Sequence, residues 1–531
     1  MYSEIKNPRR WLLTAALAEA ARENPDAPFL ADADGGRLTY GQGYRRSLRA
    51  AGFFERAGVQ PQQNVGIWMF NGCPYAIAWM GLGYLNATSV LLNTELRAHF
   101  LVHQLVDADL RCIVADPELL GALAEVADQA PALRTIIVVG EAPDDVSIPS
   151  HWELVAWPDW RQEPEWSGSG PKPQDIASIM YTSGTSGPSK GVMMPHAHCA
   201  LYGIGTMKCL DLTAADRYYI SLPFFHANAL LMQLGATILA GASAFTRRKF
   251  SASLWLSDIR EQKTTVTNLL GATSAFVLGQ PPSVYDRDHS LRASMNAPNV
   301  PDHEKQFRER FGIRDVVSGF GMTECNIPIW GRLGQPAPGA AGWVHTGHFD
   351  VYIADPDTEL PVPPGEMGEI LVRPKIPFGF MAGYFNAPDK TVESWRNLWF
   401  HTGDAATMTA DGLVTFVDRI RDCIRRRGHN ISASEVEAGV TSIEGVAEVA
   451  AYPVPSDLEG GEDEIMLAVV ANPGVHLDPR QIGVQASKNL PRFARPRYIR
   501  MVDALPKTAN GKVRRAVLKE EGGVGSVDLS T

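Results

Sequence analysis

The chain has 531 residues, a length that allows several domains. Its net charge of -10 argues against a nucleic-acid-binding surface, which would need clustered positive charge. The six cysteines are scattered with no C-x-x-C pair, which is typical of a reducing compartment and matches no zinc motif. No signal-peptide pattern and no apolar run of about 20 residues is present, so we expect a soluble, cytoplasmic protein without a membrane span.

Helices and short apolar strands alternate along the first 330 residues or so. This alternation predicts parallel βαβ units. The predicted elements are a largely helical segment over residues 8–32, a helix over 45–57, a strand over 64–69, a helix over 73–85, strands over 87–92, 111–115 and 135–139, and a buried helix over 229–240. Residues 140–173 are rich in Pro, Trp, Asp and Gly, so we expect a surface loop there.

The pattern changes after residue 330. Residues 368–372 and 412–417 are predicted to form antiparallel strands with short turns. Beyond residue 422 lies a segment of the size of one small domain, with its own strands over 446–454 and 465–470. The last residues, 521–531, are rich in Gly and Ser, and we expect them to be disordered.

The most informative stretch runs from Met180 to His196. Between two predicted strands it carries a segment of glycines and hydroxyl side chains, and Lys190 closes this segment. Glycine backbones approach a ligand closely, successive N–H groups form an anion-binding concavity, and the lysine adds a full positive charge. The stretch departs from the usual P-loop, because strand rather than helix follows the lysine. A triphosphate-binding loop and a flexible Gly/Ser hairpin are the two interpretations that composition allows.

Three further stretches carry groups suited to nucleotide chemistry. Ser318–Glu324 places an aromatic ring, a hydroxyl and a carboxylate after a predicted strand, where ligands bind in α/β sheets. Trp399–Asp404 ends in a carboxylate that suits ribose hydroxyls, and Pro506–Lys512 ends in a lysine near the C-terminus. Taken singly, each has an ordinary structural interpretation as a turn or a solvated surface residue.

Taken together and in this order, these stretches resemble the superfamily of adenylate-forming enzymes, which comprises acyl-CoA synthetases, luciferases and peptide-synthetase adenylation domains. The resemblance covers about residues 27–518, and residues 223–229 and 276–289 look most like acyl-CoA ligases of the crotonobetaine/carnitine type. It implies an α/β fold with a large N-terminal domain (1–420) of αβ-layered sheets plus a β-barrel-like part. A small, mobile α+β C-terminal domain (421–531) would follow a hinge near Arg421.

The resemblance also implies a function. ATP and a carboxylic acid would give an acyl-adenylate and diphosphate, and the thiol of coenzyme A would then displace AMP. ATP/AMP, Mg²⁺ and coenzyme A are therefore the expected ligands, with a homodimer as one possible assembly. The acid itself cannot be read from the sequence, and a carrier-protein thiol is an alternative acceptor.

Roles carry over from the family one position at a time. The nucleotide-binding positions are Thr182, Ser183, Gly184, Thr185, Ser186 and Lys190 for the phosphates, Ala297, Pro298, Gly319, Phe320 and Gly321 around adenine, and Asp404 and Arg419 for the ribose. Thr323 matches the residue that bonds the α-phosphate, and Glu324 the Mg²⁺ ligand. Lys512 matches the lysine that bridges carboxylate and α-phosphate, and Gly428 the glycine along the thiol's approach. His226 matches the gate of an acyl pocket that we expect to include Phe225 and Trp343.

Three positions depart from the family pattern. Asn296 replaces a glycine, Trp343 stands where a basic or small residue is common, and Phe320 replaces the usual tyrosine. The first two motivate an alternative in which adenylation is impaired and the chain mainly transfers a supplied acyl-adenylate to coenzyme A. An alternative of another class is a non-catalytic nucleotide-binding protein, against which the presence of both Lys190 and Lys512 argues.

Overall fold

The computed structural model describes residues 11–160, 162–182, 188–355, 358–419, 424–427, 429–431, 433–457, 462–507, 513 and 515–530. Two sheets form the first part of the chain. The strands of this part are, in chain order, β1 (Pro28–Asp32), β2 (Arg37–Thr39), β3 (Asn64–Trp68), β4 (Thr88–Leu91), β5 (Cys112–Ala115), β6 (Thr135–Val138), β7 (Glu153–Ala156), β8 (Ile176–Thr182), β9 (Lys190–Pro195), β10 (Arg217–Ile220), β11 (Ser243–Thr246), β12 (Val266–Leu270), β13 (Ala293–Ala297) and β14 (Asp315–Val317).

The remaining strands belong to the second half of the chain. They are β15 (Gly319–Met322), β16 (Asn326–Trp330), β17 (Gly342–Val344), β18 (Phe349–Ala354), β19 (Met367–Pro374), β20 (Gly383–Tyr384), β21 (Phe400–Met408), β22 (Leu413–Arg419), β23 (Ile424–Arg426), β24 (His429–Ile431), β25 (Val446–Val454), β26 (Glu464–Ala471), β27 (Tyr498–Met501) and β28 (Val527–Asp528).

The helices pack against these sheets. They are α1 (Leu13–Glu23), α2 (Tyr40–Arg56), α3 (Cys73–Leu85), α4 (Ala98–Asp107), α5 (Leu120–Ala124), α6 (His196–Cys209), α7 (Ala236–Ala240), α8 (Ala252–Gln262), α9 (Gly271–Leu278), α10 (Pro301–Phe311), α11 (Pro388–Ser394), α12 (Ala433–Thr441), α13 (Pro479–Asn489) and α14 (Arg515–Glu521), with a π-helix over Asn228–Gly235 directly before α7.

Two mixed sheets form the layered part. One has eight strands in the order β20-β9-β8-β4-β3-β5-β6-β7, and the other has seven in the order β14-β13-β12-β10-β11-β1-β2. Neighbouring strands are parallel from β8 to β7 and from β14 to β1, as the βαβ alternation predicts. Helix α3 is apolar and buried on every side, because it is part of the core between elements of this layered region.

The C-terminal half is built differently. The part predicted to be barrel-like is a seven-stranded antiparallel sheet in the order β15-β16-β17-β22-β21-β19-β18. It contains the antiparallel strands predicted over residues 368–372 and 412–417. The smaller C-terminal domain has a two-stranded sheet, β23-β24, and a four-stranded sheet, β25-β26-β27-β28, covered by helices. This arrangement confirms the predicted fold class.

Three local expectations were wrong. Residues 28–32 form strand β1 rather than helix, because Leu30 and Ala31 are buried against Ala244 and Phe245 of β11. The predicted surface loop over 140–173 contains strand β7, which pairs with β6. The chain end is not disordered up to residue 530, since Val527 pairs with Ile499 of β27.

Candidate active site

A large cavity of about 750 Å³ lies where the ends of strands from both layered sheets meet the antiparallel sheet. Thr182 ends β8, Leu270 ends β12 and Ala297 ends β13, and all three line this cavity. The carboxyl ends of parallel strands are the usual ligand-binding edge of an α/β sheet.

Most of the predicted site residues that the structure describes line the large cavity. They are Thr182, Phe225, His226, Ala297, Pro298, Gly319, Phe320, Gly321, Thr323, Glu324 and Asp404. These residues come from five separate stretches of the chain, so the fold brings together groups that the sequence only places in order.

Glu324 is the centre of a buried hydrogen-bond network. It is 4% exposed, and its Oε1 accepts hydrogen bonds from Thr182 Oγ1 at 3.2 Å and from the Tyr384 hydroxyl at 3.0 Å. Among the residues described, no donor is assigned to Oε2. Burial and the neighbouring Glu324 carboxylate raise the pKa of Tyr384, so its hydroxyl stays protonated and remains a donor. One carboxylate oxygen is thus held while the other is available to a ligand.

Lys190 lies beside this network, at the other side of the predicted phosphate loop. In the antiparallel ladder of β8 and β9, Lys190 is the direct partner of Thr182. Its Nζ lies 4.5 Å from the ring centroid of Tyr384. Burial lowers the pKa of Lys190, and attraction to Glu324 opposes that shift. A partly desolvated ammonium next to a carboxylate favours an anionic ligand with a bound cation.

Side chains of helix α6 contact the backbone of the turn that carries Thr323 and Glu324. His198 Nε2 lies 2.9 Å from the carbonyl oxygen of Thr323, and the Tyr202 hydroxyl donates to the carbonyl oxygen of Met322 at 2.6 Å. Burial lowers the pKa of His198 to about 4, so its ring is neutral at pH 7. Gly321 is required here, because a side chain would collide with the carbonyl oxygen of Asn326.

The predicted ribose residues face each other across two strands. Asp404 in β21 pairs directly with Arg419 in β22, and Asp404 is 3% exposed in the wall of the large cavity. The side chain of Arg419 lies outside the described part. The ring of Phe320 stacks against Phe416 with centroids 6.3 Å apart, so the predicted adenine position offers two aromatic rings.

Phe225 and His226 lie next to each other in the wall of the large cavity. Their ring centroids are 4.6 Å apart. Burial lowers the pKa of His226 to about 4, which keeps the imidazole neutral at pH 7. A neutral ring beside Phe225 suits an uncharged part of an acyl group.

Trp343 does not line the large cavity. It lies in a second cavity of about 520 Å³ with Lys208, Cys209 and His345. The Arg332 guanidinium packs 4.7 Å from the Trp343 ring, and the indole nitrogen lies 3.3 Å from a carboxylate oxygen of Asp411. Pairing of β17 with β16 and β22 turns this side chain toward the second cavity, so its expected place in the acyl pocket is wrong.

Asn296 is also absent from the wall of the large cavity. It is 2% exposed, and its Oδ1 accepts a hydrogen bond from Ser294 at 2.5 Å in the interior. Neither departure that motivated impaired adenylation therefore lines the large cavity, and the structure gives that alternative no support.

Seven predicted site residues lie outside the described residues. They are Ser183, Gly184, Thr185, Ser186, Arg421, Gly428 and Lys512. Of the three arginines before Gly428, Arg426 is structural, since it is buried, pairs with Glu464 at 2.5 Å and donates to the Arg495 carbonyl at 2.5 Å. Arg427 instead lines the large cavity, as does Arg492 of the same domain.

The described residues fit a magnesium ion that is held jointly by one protein carboxylate and the substrate phosphates. Within the described ranges no group of three or more His, Cys, Asp or Glu side chains is placed to hold a metal ion. Mg²⁺ is commonly held by one or two carboxylates together with substrate phosphates and water. Glu324, with one oxygen not used by a described donor, provides such a carboxylate.

Sequence reasoning missed several residues that shape the site. Tyr384, His198 and Tyr202 position Glu324 and its turn, and Glu435 of α12 accepts a hydrogen bond from the backbone N–H of Ser189. These residues are distant in sequence from the groups that they contact, so no local pattern indicated them. None of the described helices has the length and apolar content needed to cross a lipid bilayer.

The chain is similar to known proteins over nearly its whole length. The family described as AMP-binding enzyme matches residues 17–385, and its C-terminal domain matches residues 435–512. A 3-[(3aS,4S,7aS)-7a-methyl-1,5-dioxo-octahydro-1H-inden-4-yl]propanoyl:CoA ligase of Rhodococcus jostii (strain RHA1) is 30% identical over 522 residues, covering 96% of this chain and 98% of the relative. Crotonobetaine/carnitine–CoA ligase of Shigella dysenteriae serotype 1 (strain Sd197) is 28% identical, covering 89% of this chain and 91% of the relative.

Solved structures show the same architecture. The anthranilate CoA ligase AuaEII in complex with anthranoyl-AMP superimposes with a TM-score of 0.71 at 25% identity, covering 96% of this chain and 97% of that one. The amide bond synthetase McbA from Marinactinospora thermotolerans has a TM-score of 0.80 at 21% identity, covering 96% and 99%, and shows the fold alone. The chain belongs to the adenylate-forming AMP-binding enzyme family and is an ATP-dependent, AMP-forming acid–thiol ligase of the acyl-CoA synthetase kind.

Proposed function

We propose that this chain joins a carboxylic acid to coenzyme A in two half-reactions within the large cavity. The observation that carries the proposal is the wall of that cavity. Thr323, Glu324 and Asp404 line it together with Arg427 and Arg492 of the C-terminal domain. Groups suited to a nucleotide and groups suited to a second polyanion thus face the same space.

In the first half-reaction, a carboxylate oxygen of the acid attacks the α-phosphorus of ATP, and the bond between the α-phosphorus and the bridging oxygen breaks to release diphosphate. The reaction needs charge neutralisation and alignment more than covalent help from the protein. Lys190 and the loop from Thr182 would hold the phosphates, and Glu324 would hold Mg²⁺, which supplies charge stabilisation at the phosphate oxygens. Thr323 would donate to the α-phosphate, and Asp404 with Arg419 would bind the ribose.

In the second half-reaction, the sulfur of coenzyme A attacks the acyl carbon, and the bond from that carbon to the AMP oxygen breaks. The thiol proton leaves to solvent, and AMP is a far better leaving group than oxide. Arg427 and Arg492 are exposed and make no ion pair with a described residue, so they are available to the phosphates of coenzyme A.

The two half-reactions would use two positions of the C-terminal domain. We propose that the chain divides into domains 1–420 and 421–531, that Arg421 lies at the hinge, that Lys512 serves adenylation and that Gly428 lines the approach of the thiol. Hinge rotation of one domain against another is a common way to alternate active-site groups.

Membership of the family does not determine which acid a chain uses. Relatives are named for acids as different as a bicyclic propanoate, sulfoacetate and medium- or long-chain fatty acids. For this chain, Phe225, neutral His226, Met232 and Met295 make the acyl side of the large cavity mainly apolar. An acid with a sizeable uncharged body is therefore the substrate class that we propose.

The test is AMP release from ATP with a panel of acids, with and without coenzyme A. We expect AMP formation that requires both an acid and coenzyme A, and acid-dependent exchange of diphosphate into ATP without coenzyme A. Lys512→Ala should slow exchange by about two to three orders of magnitude but spare thioester formation from a supplied acyl-adenylate. Thioester formation without any exchange in the unmodified protein would instead favour the adenylation-impaired alternative. Preference for a phosphopantetheinyl protein over coenzyme A would identify a carrier-protein acceptor.

A further inference from the structure

A buried network of polar side chains lies behind the acyl side of the large cavity. Asn268, Gln233 and Tyr218 are fully or almost fully buried, while Asn228 is half-buried and lines the cavity. The surrounding cavity wall is apolar there, with Met232, Leu270 and Met295. Amide side chains are costly in such a place unless their hydrogen bonds are made.

The π-helix brings two of these amides together. Asn228 and Gln233 are five residues apart, and in an α-helix with about 3.6 residues per turn they would lie on different faces. The π-helix over Asn228–Gly235 has a wider turn, and Gln233 Nε2 donates to Asn228 Oδ1 at 3.0 Å. Short π-helical segments occur frequently at functional sites.

A second donor occupies the same oxygen. Asn268 Nδ2 donates to Asn228 Oδ1 at 2.8 Å and lies 3.8 Å from the sulfur of Met295. The Tyr218 hydroxyl donates to Asn268 Oδ1 at 2.6 Å. Because burial raises the pKa of Tyr218 well above its usual value, this hydroxyl stays protonated. In this arrangement the Asn268 amide presents Oδ1 to Tyr218 and Nδ2 to Asn228.

These contacts determine the orientation of the Asn228 amide. Reversing it would point its NH₂ group at the NH₂ groups of both Gln233 and Asn268. With Oδ1 held by two donors, Nδ2 is the end left for the cavity. Among the described residues, none accepts a hydrogen bond from Asn228 Nδ2.

We propose that Asn228 determines specificity by donating a hydrogen bond from Nδ2 to an oxygen acceptor, such as a ketone, on the body of the acid substrate. The inference rests on the proposed function, and it narrows the substrate class from any acid with an uncharged body to one bearing an acceptor. A plain hydrocarbon chain in the same place would leave the Nδ2 donor desolvated without a partner. Sites built to hydrogen-bond a substrate group reject analogues that lack it for this reason.

The first experiment compares straight-chain monocarboxylic acids of equal length in which a carbonyl replaces one methylene at successive positions. We expect at least one oxo acid to exceed its unsubstituted parent by about tenfold in kcat/KM, as for one neutral hydrogen bond. A protein that turns over the parent acids yet favours no oxo acid at any position would overturn the proposal.

The second experiment changes the donor and keeps the network. Asn228→Asp retains an acceptor oxygen for Gln233 and Asn268 but presents a second oxygen to the cavity. We expect the ratio of kcat/KM for the best oxo acid over its parent to fall to about one or below. The matched control is Asn93→Asp, the same substitution in another lining residue of the large cavity whose Oδ1 accepts the Glu95 N–H. It should leave this ratio unchanged, and an unchanged ratio in Asn228→Asp would contradict the proposal.

A binding experiment separates this inference from the proposed function. Non-hydrolysable acyl-sulfamoyl analogues of the two adenylates, one with the carbonyl and one with the methylene, bind without turnover. We expect the dissociation constant in calorimetry to favour the oxo analogue by about tenfold in the unmodified protein but not in Asn228→Asp. Equal constants in the unmodified protein would overturn the role of Asn228. Absence of acid-dependent AMP release alongside this preference would contradict only the proposed function. Thermal unfolding of each variant checks that it is folded.

Discussion

The N-terminal and C-terminal walls of the large cavity are built in different ways. On the N-terminal side, Glu324 is buried and held by Thr182 and Tyr384, which come from two further strands. On the C-terminal side, Arg427 and Arg492 are exposed and make no ion pair with any residue that the structure describes. In the first wall, hydrogen bonds hold the Glu324 side chain in place without a ligand. In the second wall, no ion pair with a described residue holds the arginine side chains, so a bound anion would have to order them. We therefore propose that the first wall serves adenylation and the second serves thioester formation.

The largest expected effect comes from the N-terminal wall. Glu324→Gln removes the charge proposed to hold Mg²⁺ while keeping an oxygen for the Thr182 and Tyr384 donors. We expect exchange of diphosphate into ATP to fall by about two to three orders of magnitude. Tyr384→Phe removes only one positioning hydrogen bond and should cost about tenfold. Glu366→Gln, at an exposed turn, is the control that should leave exchange unchanged. Full exchange in Glu324→Gln would remove the proposed role of this wall.

The next effect separates the walls. Arg427→Ala and Arg492→Ala should each raise KM for coenzyme A by about tenfold, because each removes one charge-assisted contact to phosphate. Exchange of diphosphate into ATP needs no coenzyme A and should not change. Dephospho-coenzyme A serves as the ligand control, since the loss should be smaller with one phosphate group fewer. Equal losses in exchange and in thioester formation would show that the two walls do not divide the reaction.

The pH dependence of stability tests the contact between Glu435 of the C-terminal domain and Ser189. Burial raises the pKa of Glu435 from 4.5 to about 7, and this carboxyl accepts the N–H of Ser189 next to the phosphate loop. The neighbouring titratable groups are His99, whose ring bonds to the Glu435 backbone, and His103, whose ring contacts the Ser189 carbonyl at 2.8 Å. Burial lowers the pKa of His99.

A carboxyl whose pKa is raised on folding contributes stability that is full below pH 4.5 and lost as pH rises through about 7. Glu435→Gln keeps the acceptor and removes the titration. We therefore expect the midpoint of thermal unfolding of this variant to gain on the unmodified protein as pH rises between 4.5 and about 7. Glu444→Gln, at an exposed carboxylate of the same domain, should show no such gain. A constant difference across this window would contradict the prediction.

The smallest effect on catalysis is expected for a substitution outside both walls of the large cavity. Trp343→Phe changes a residue of the second cavity, so kcat/KM for acid should change by less than about twofold. Phe225→Leu, an aromatic substitution within the large cavity, should change the same constant by about tenfold. A larger effect of Trp343→Phe than of Phe225→Leu would restore Trp343 to the acyl site.

Much of the fold could be predicted because its signals are local. Helix α3 and the strands β3, β5 and β6 followed from apolar runs and from their alternation along the chain. Strand β1 and strand β28 could not be predicted in this way. Their segments become strands only because Leu30 meets Ala244 and Val527 meets Ile499, residues that are distant in sequence.

For the site, the sequence alone determined which chemical groups the chain offers: a glycine–hydroxyl loop ending in Lys190, a carboxylate at Glu324 and another at Asp404, in the order of the adenylate-forming family. Only the tertiary structure decided which side chains face the same space. It placed Trp343 in the second cavity, set Tyr384 on Glu324 and turned the amide of Asn228 toward the large cavity. The physical reason is that residue type fixes what a group can donate or accept, whereas strand pairing and helix geometry determine where that group points.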